Sequence, residues 1–114
     1  MKLRNIATEA ELDELIEASK TAPVLLFKHS NTCSVSSRAS GQVDRFLSSE
    51  HETPFTAAVV VVQTARPLSD RIEERFGIRH ESPQAIVLRD GEPVWSASHW
   101  DVTEARLAGA IGRG

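Results

Sequence analysis

Two kinds of apolar spacing alternate along this chain, and they predict different elements. Leu12, Leu15, Ile16 and Ser19 recur at helical intervals with charges between them. Thr8-Glu9-Ala10-Glu11 just ahead has the form of a capping box, so a first helix is expected over about 8–20. Pro23 stops it. Val24-Leu25-Leu26-Phe27 is continuously apolar, the mark of a strand covered on both faces. His29-Ser30-Asn31-Thr32 reads as a polar turn. From Cys33 to about Ser49 a second helix is expected, with Val35, Ala39, Val43, Phe46 and Leu47 on one face.

Ala57–Val62 is apolar and rich in β-branched residues, a second buried strand. Pro67 suits the first turn of a third helix that turns Leu68, Ile72 and Phe76 inward, with Gly77 as its left-handed stop and Ile78 as the closing apolar contact. Gln84–Leu88 and Pro93–Ser98 flank Asp90-Gly91, a strong hairpin signal. Asp101 to Glu104 repeats the capping-box spacing and opens a last helix that buries Leu107, Ala108 and Ile111. The predicted order is α-β-α-β-α-β-β-α. Its first two strands pair in parallel through helical crossovers and its last two form a hairpin. This is an α/β chain with a mixed central sheet of about four strands flanked by helices.

At 114 residues, the length suits one domain spanning 1–114. A net charge of −3 argues against nucleic acid or a polybasic membrane anchor as the main partner. The longest apolar run is far too short to span a bilayer, and the opening residues carry no apolar signal core, so a cytoplasmic setting is expected. The single cysteine, Cys33, excludes an internal disulfide framework and a cysteine-based zinc cluster. The four histidines lack metal-ligand spacing, so no metal is expected.

Cys33 stands where a strand has ended and a helix begins. The unsatisfied N–H groups and partial positive charge of a helix N-terminus favour a thiolate, and Lys28 and His29 add positive potential. The alternative is a small buried hydrophobe, but Thr32 and Ser34 on either side are polar. Ser36 occupies the position where a dithiol enzyme carries its resolving cysteine, so the chemistry must be monothiol. Ser36 either donates a hydrogen bond to the thiolate or is a plain first-turn serine. His29 caps or lines the active loop, or serves as a base. Arg38, one turn after Cys33, either pairs with a carboxylate on a small thiol or is solvated. Trp95 and Trp100 are expected to pack in the core or at an edge, with stacking on a substrate as the alternative. His80 and His99 read as surface histidines.

The element order, the Cys-x-x-Ser at a helix start, Phe76-Gly77-Ile78 and Ser82-Pro83 ahead of the hairpin resemble the thioredoxin-like fold. Lys28-His29-Ser30 with Thr32-Cys33-Ser34-Val35-Ser36-Ser37 resembles the YtxJ-type, monothiol bacilliredoxin-like family of the bacillithiol system. The resemblance covers nearly the whole chain. It implies reduction of mixed disulfides between bacillithiol and protein cysteines. Cys33 is then the nucleophile with Ser36 beside it, and His29, Thr32, Ser34, Arg38, Ser82 and Pro83 line the substrate site. Ser82-Pro83 is expected to be a cis pair whose Ser82 backbone bonds a bound substrate. Many relatives have proline after the cysteine. Ser34 stands there instead and keeps its N–H as one more donor.

The expected function is thus a monothiol thiol–disulfide oxidoreductase acting on a low-molecular-weight thiol and S-thiolated client proteins. Bacillithiol would be its cosubstrate, with no bound cofactor. A monomer is expected, with a disulfide-linked dimer possible on oxidation. Two other classes stay open. One is a glutaredoxin-like iron–sulfur cluster protein, although Ser34-Val35 departs from the Cys-Gly-Phe-Ser loop of those proteins. The other is a non-catalytic interaction module of the same fold.

Overall fold

The apolar run at Val24 forms the middle strand of the protein. The computed structural model describes residues 3–32, 34–49, 51 and 53–112. In chain order they form β1 (Arg4–Asn5), α1 (Glu9–Ala18), β2 (Val24–His29), α2 (Ser34–Ser48) and β3 (Thr56–Val61). These are followed by α3 (Arg66–Phe76), β4 (Gln84–Arg89), β5 (Glu92–Ser98), a 3-10 turn at His99–Asp101 and α4 (Glu104–Gly112). The strands make one sheet in the order β1-β3-β2-β4-β5. β1 and β2 run parallel to β3, and β4 runs antiparallel to both β2 and β5.

The sheet therefore has five strands where about four were expected. β1 is two exposed residues with no apolar run to announce it. Its pairing with Ala58 and Val59 is extended by the Ile6 N–H, which donates to the Val59 carbonyl at 3.0 Å. The only trace of it in the sequence is Ile6, which is fully buried.

Side-chain alternation on the strands sorts the core into two halves. Leu25, Phe27, Ala57, Ala85 and Val87 face α2 and α4, where they meet Val43, Phe46, Leu107 and Ile111. Val24, Leu26, Ala58, Val60, Ile86 and Leu88 face α1 and α3, where they meet Leu12, Leu15, Leu68 and Ile72. Trp95 packs partly buried against the first half, and Ile78 against the second.

The local signals behave as their chemistry requires. Thr8 accepts from the Glu11 N–H and Glu11 accepts from the Thr8 N–H, a complete capping box. The Ala7 N–H on the same carboxylate helps hold the Glu11 pKa below the usual range. Gly77 ends α3 at φ 67°. Asp90 and Gly91 both have positive φ, as a two-residue hairpin turn demands. That turn is docked on the end of α1, because Ser19 accepts from both the Asp90 and Gly91 N–H groups. On β5, Pro93 pairs with Leu88 and Trp95 with Val87, which leaves Val94 as an extra, exposed residue in a bulge.

The last helix starts later than the Asp101 spacing suggested. Thr103 accepts from the Arg106 N–H at 3.2 Å and is the cap, while Asp101 closes the 3-10 turn. Leu107 and Ile111, one turn apart, are buried as expected, whereas Ala108, about 100° round the helix from Leu107, is exposed. No helix among the described residues is long and apolar enough to cross a membrane.

Lys28 is the exception to the apolar interior. It is fully buried on the α3 side of β2, where its Nζ donates to the Ser69 carbonyl at 3.4 Å. Glu73, Asp70 and Arg66 of α3 and Glu81 of the following loop are the charged groups that act on it. His80 lies beside this cluster, half-buried instead of on the surface, with Nδ1 3.2 Å from the Ser69 hydroxyl. Burial and then the Lys28 charge lower its pKa.

Burial pushes the Lys28 pKa down to about 8, against the opposing pull of Glu73 and Asp70. The unfolded chain holds the same proton up to the ordinary 10.5. Folding is therefore penalised at neutral pH, and the penalty lifts as pH rises from about 8 to 10.5. Lys28→Met is expected to be the more stable protein at pH 7, by at most about 3 kcal/mol. Urea unfolding midpoints for both proteins across this pH range check it. The advantage of the variant should shrink toward the upper end.

Candidate active site

Four segments converge at the carboxyl end of β2. The register Lys28↔Gln84 ends the pairing with β4, which places Pro83 just beyond it. His29↔Val61 ends the pairing with β3, and the Val62 N–H bonds the His29 carbonyl at 2.9 Å. Gln84↔Ser98 brings the end of β5 to the same edge, and the His99 N–H donates to the Pro83 carbonyl at 2.9 Å. The Ser82–Pro83 peptide bond is cis, as the resemblance implied.

Cys33 lies outside the described residues. Its neighbours do not. Thr32 is exposed at the end of the loop, and Ser34 is the exposed first residue of α2, a helix of 15 residues. The free N–H groups and positive dipole end of α2 are therefore presented at Ser34. Ser36 is fully buried, and its Oγ accepts from the Ser30 N–H at 3.3 Å. It ties the first turn of α2 back to the end of β2, while its own O–H proton is not used in that bond. His29 is half-buried with its ring 5.7 Å from that of Phe27, and its buried Nδ1 has no partner among the described residues. The Ser82 hydroxyl is likewise buried and unpartnered there, and Pro83 is buried.

Arg38 is exposed but not simply solvated. Its guanidinium carbon lies 4.9 Å from the centre of the Trp100 ring, within cation–π range. Trp100 is 61 % exposed, which overturns its expected place in the core or at an edge. The reason is local. His99, at φ 54°, turns the chain out of β5, and the 3-10 turn then carries the indole over α2 instead of under it. Arg38 has no carboxylate partner among the described residues. His99 is exposed, as expected, and faces Glu81 at 3.4 Å.

One participant was missed altogether. Gln63, in the loop after β3, grips the loop that precedes Cys33. It accepts from the Asn31 N–H at 3.1 Å and donates to the Ser30 and Thr32 hydroxyls at 2.8 and 3.1 Å. Nothing in the sequence marks it, because a glutamine in a polar loop has no spacing relation to residues some thirty positions earlier. No group of three or more His, Cys, Asp or Glu that could hold a metal occurs among the described residues.

The sequence model of the family described as Monothiol bacilliredoxin BrxC matches residues 4–107. The chain belongs to this family. Among solved structures it is similar to a candidate oxidoreductase with a thioredoxin fold. The two are 33 % identical with a TM-score of 0.84, over 95 % of this chain and 92 % of that one. It is also similar to thioredoxin of Fasciola hepatica, at 22 % identity and TM-score 0.76 over 97 % and 98 % of the two chains. A mutant thioredoxin of Halobacterium salinarum matches at 21 % and 0.72 over 96 % and 88 %. These last two likenesses show the fold. Family membership makes the chain a monothiol redox protein, and Ser36 at the helix start agrees with a bacilliredoxin that carries no second thiol.

In a bacilliredoxin of this build, the Ser36 hydroxyl has a structural duty that alanine cannot perform. Ser36→Ala leaves the partly buried Ser30 N–H without its acceptor. The expected loss is about 1 kcal/mol of stability, read from urea unfolding.

Proposed function

We propose that this chain removes low-molecular-weight thiols from S-thiolated proteins, with bacillithiol as the thiol and Cys33 as the nucleophile. The observation that carries this reading is the pairing of a helix N-terminus at Ser34 with a serine, not a cysteine, at position 36. The thiolate of Cys33 attacks the small-thiol sulfur of a client mixed disulfide. That S–S bond breaks, a new one forms between Cys33 and the small thiol, and the client sulfur leaves as a thiolate that takes up a proton. A second molecule of small thiol then attacks the adduct. It leaves as a symmetrical disulfide with the first, and Cys33 is restored as a thiol. No internal cysteine competes for the adduct, so an external thiol must complete each cycle.

The remaining site residues are assigned by position. Ser34 and Ser36 donate hydrogen bonds to the sulfur anion. Ser82 offers its backbone to an extended client segment beside Pro83, with Thr32 and His29 on the opposite wall. Arg38 is held by Trp100 at the same end of the sheet, so its charge is available to the carboxylates that bacillithiol carries on its malate group. The reading places the protein in the cytoplasm, as a monomer in its reduced state.

Intact mass spectrometry of the reduced protein mixed with a bacillithiolated model protein tests the proposal. A single bacillithiol adduct, absent in Cys33→Ser, together with free client, is the expected result. No adduct would overturn it. Arg38→Ala is expected to slow transfer from the bacillithiolated client several-fold through KM. It should have less effect with a client whose small thiol bears no carboxylate.

A further inference from the structure

The hydrogen bonds around Gln63 have a forced polarity. The Asn31 N–H can only donate, so the atom of Gln63 that faces it at 3.1 Å is the carbonyl oxygen, and Nε2 faces the Ser30 and Thr32 hydroxyls at 2.8 and 3.1 Å. The two protons of Nε2 thereby occupy an acceptor position on each hydroxyl. Each hydroxyl still has one proton of its own. The contact between them, 3.4 Å, uses one of these two protons. The other must be directed to an acceptor outside the trio. In the same way the Ser30 N–H occupies the Ser36 hydroxyl as an acceptor and leaves its proton over. The loop ahead of Cys33 is thus built as a set of hydroxyls whose acceptor sides are filled by N–H donors.

We propose that Gln63 is a positioning residue for the reaction of Cys33. Its amide holds residues 30–32, and the hydroxyl proton left over is assigned to Thr32, the residue next to Cys33, as a donor for the sulfur anion. The inference rests on the reading of Cys33 as the reacting thiol. It adds that the thiolate is stabilised from a second loop, the one after β3, and not by the helix N-terminus alone. Only an amide serves: a carboxylate at position 63 would still accept from the Asn31 N–H but would also draw both hydroxyl protons to itself.

The test is the pH dependence of Cys33 itself, measured on the free thiol. The thiol pKa is read by thiolate absorbance and by iodoacetamide alkylation rates across pH in wild type, Gln63→Leu, Gln63→Glu and Thr32→Val, with thermal melts alongside. All three variants are expected to raise the thiol pKa, by up to about one unit, with Gln63→Glu still shifted in high salt. A one-unit rise cuts the thiolate fraction tenfold but raises intrinsic nucleophilicity about threefold. Alkylation should therefore slow about threefold below the pKa and quicken about threefold on the high-pH plateau. In a Thr32→Val background, Gln63→Leu should add no further shift. A merely structural Gln63 would lower the melting temperature and leave the thiol pKa where it was, and that result would overturn the proposal. So would a Gln63→Leu shift that persists in full without the Thr32 hydroxyl. Wild-type transfer from a bacillithiolated client is run in parallel. A Gln63-dependent pKa without transfer would sink the functional reading and leave this one standing.

Discussion

β2 hydrogen-bonds a parallel strand on one side and an antiparallel strand on the other, and the reactive end of the protein depends on that mixture. The parallel neighbour, β3, ends where β2 ends, so the loop that carries Gln63 lies beside the loop that leads to Cys33. The antiparallel neighbour, β4, starts where β2 ends, so Ser82 and Pro83 arrive from the opposite side. β5 runs back along β4 and delivers His99 and Trp100 to the same edge. In a fully parallel sheet β4 would begin at the opposite edge and carry Ser82 and Pro83 away from this site. Because Val24 to Phe27 are buried on both faces, the register of this strand is fixed by packing on two sides.

That end of the sheet is polar, and its polarity is organised. Ser30, Thr32, Ser36 and Gln63 form a network in which backbone and amide N–H groups are matched to hydroxyl oxygens. The arrangement sets hydroxyl and amide groups beside the loop that precedes Cys33 without adding a charged side chain. Lys28, the one fully buried cation among the described residues, projects to the other face of β2, toward α3.

Much of this was legible in the chain. Continuous apolar runs announce the inner strands because both faces of the sheet are covered. Thr8 with Glu11, Gly77, and Asp90 with Gly91 are read correctly because each performs its role through local backbone chemistry. β1 is not legible, since two exposed residues that add to the edge of β3 need tertiary pairing to exist at all. The Asp101 cap fails for a similar reason: the same spacing competes with Thr103, and the 3-10 turn settles which hydroxyl or carboxylate reaches the helix. At the site, sequence neighbours of Cys33 were found easily. Gln63 and the Arg38–Trp100 contact were not, because they join residues 31 to 62 positions apart that only the sheet order brings together.

The bulge at Val94 bears on a different matter, how the molecule ends. β5 is the outer strand on its side, and an outer strand ordinarily displays a row of free N–H and carbonyl groups that a neighbouring chain can extend. Here Pro93 has no N–H to display, and Val94 breaks the repeat one residue later. The rim that results is irregular and poorly suited to end-to-end growth. The open side of the sheet is therefore blunted at β5 against strand-to-strand pairing with a neighbouring chain.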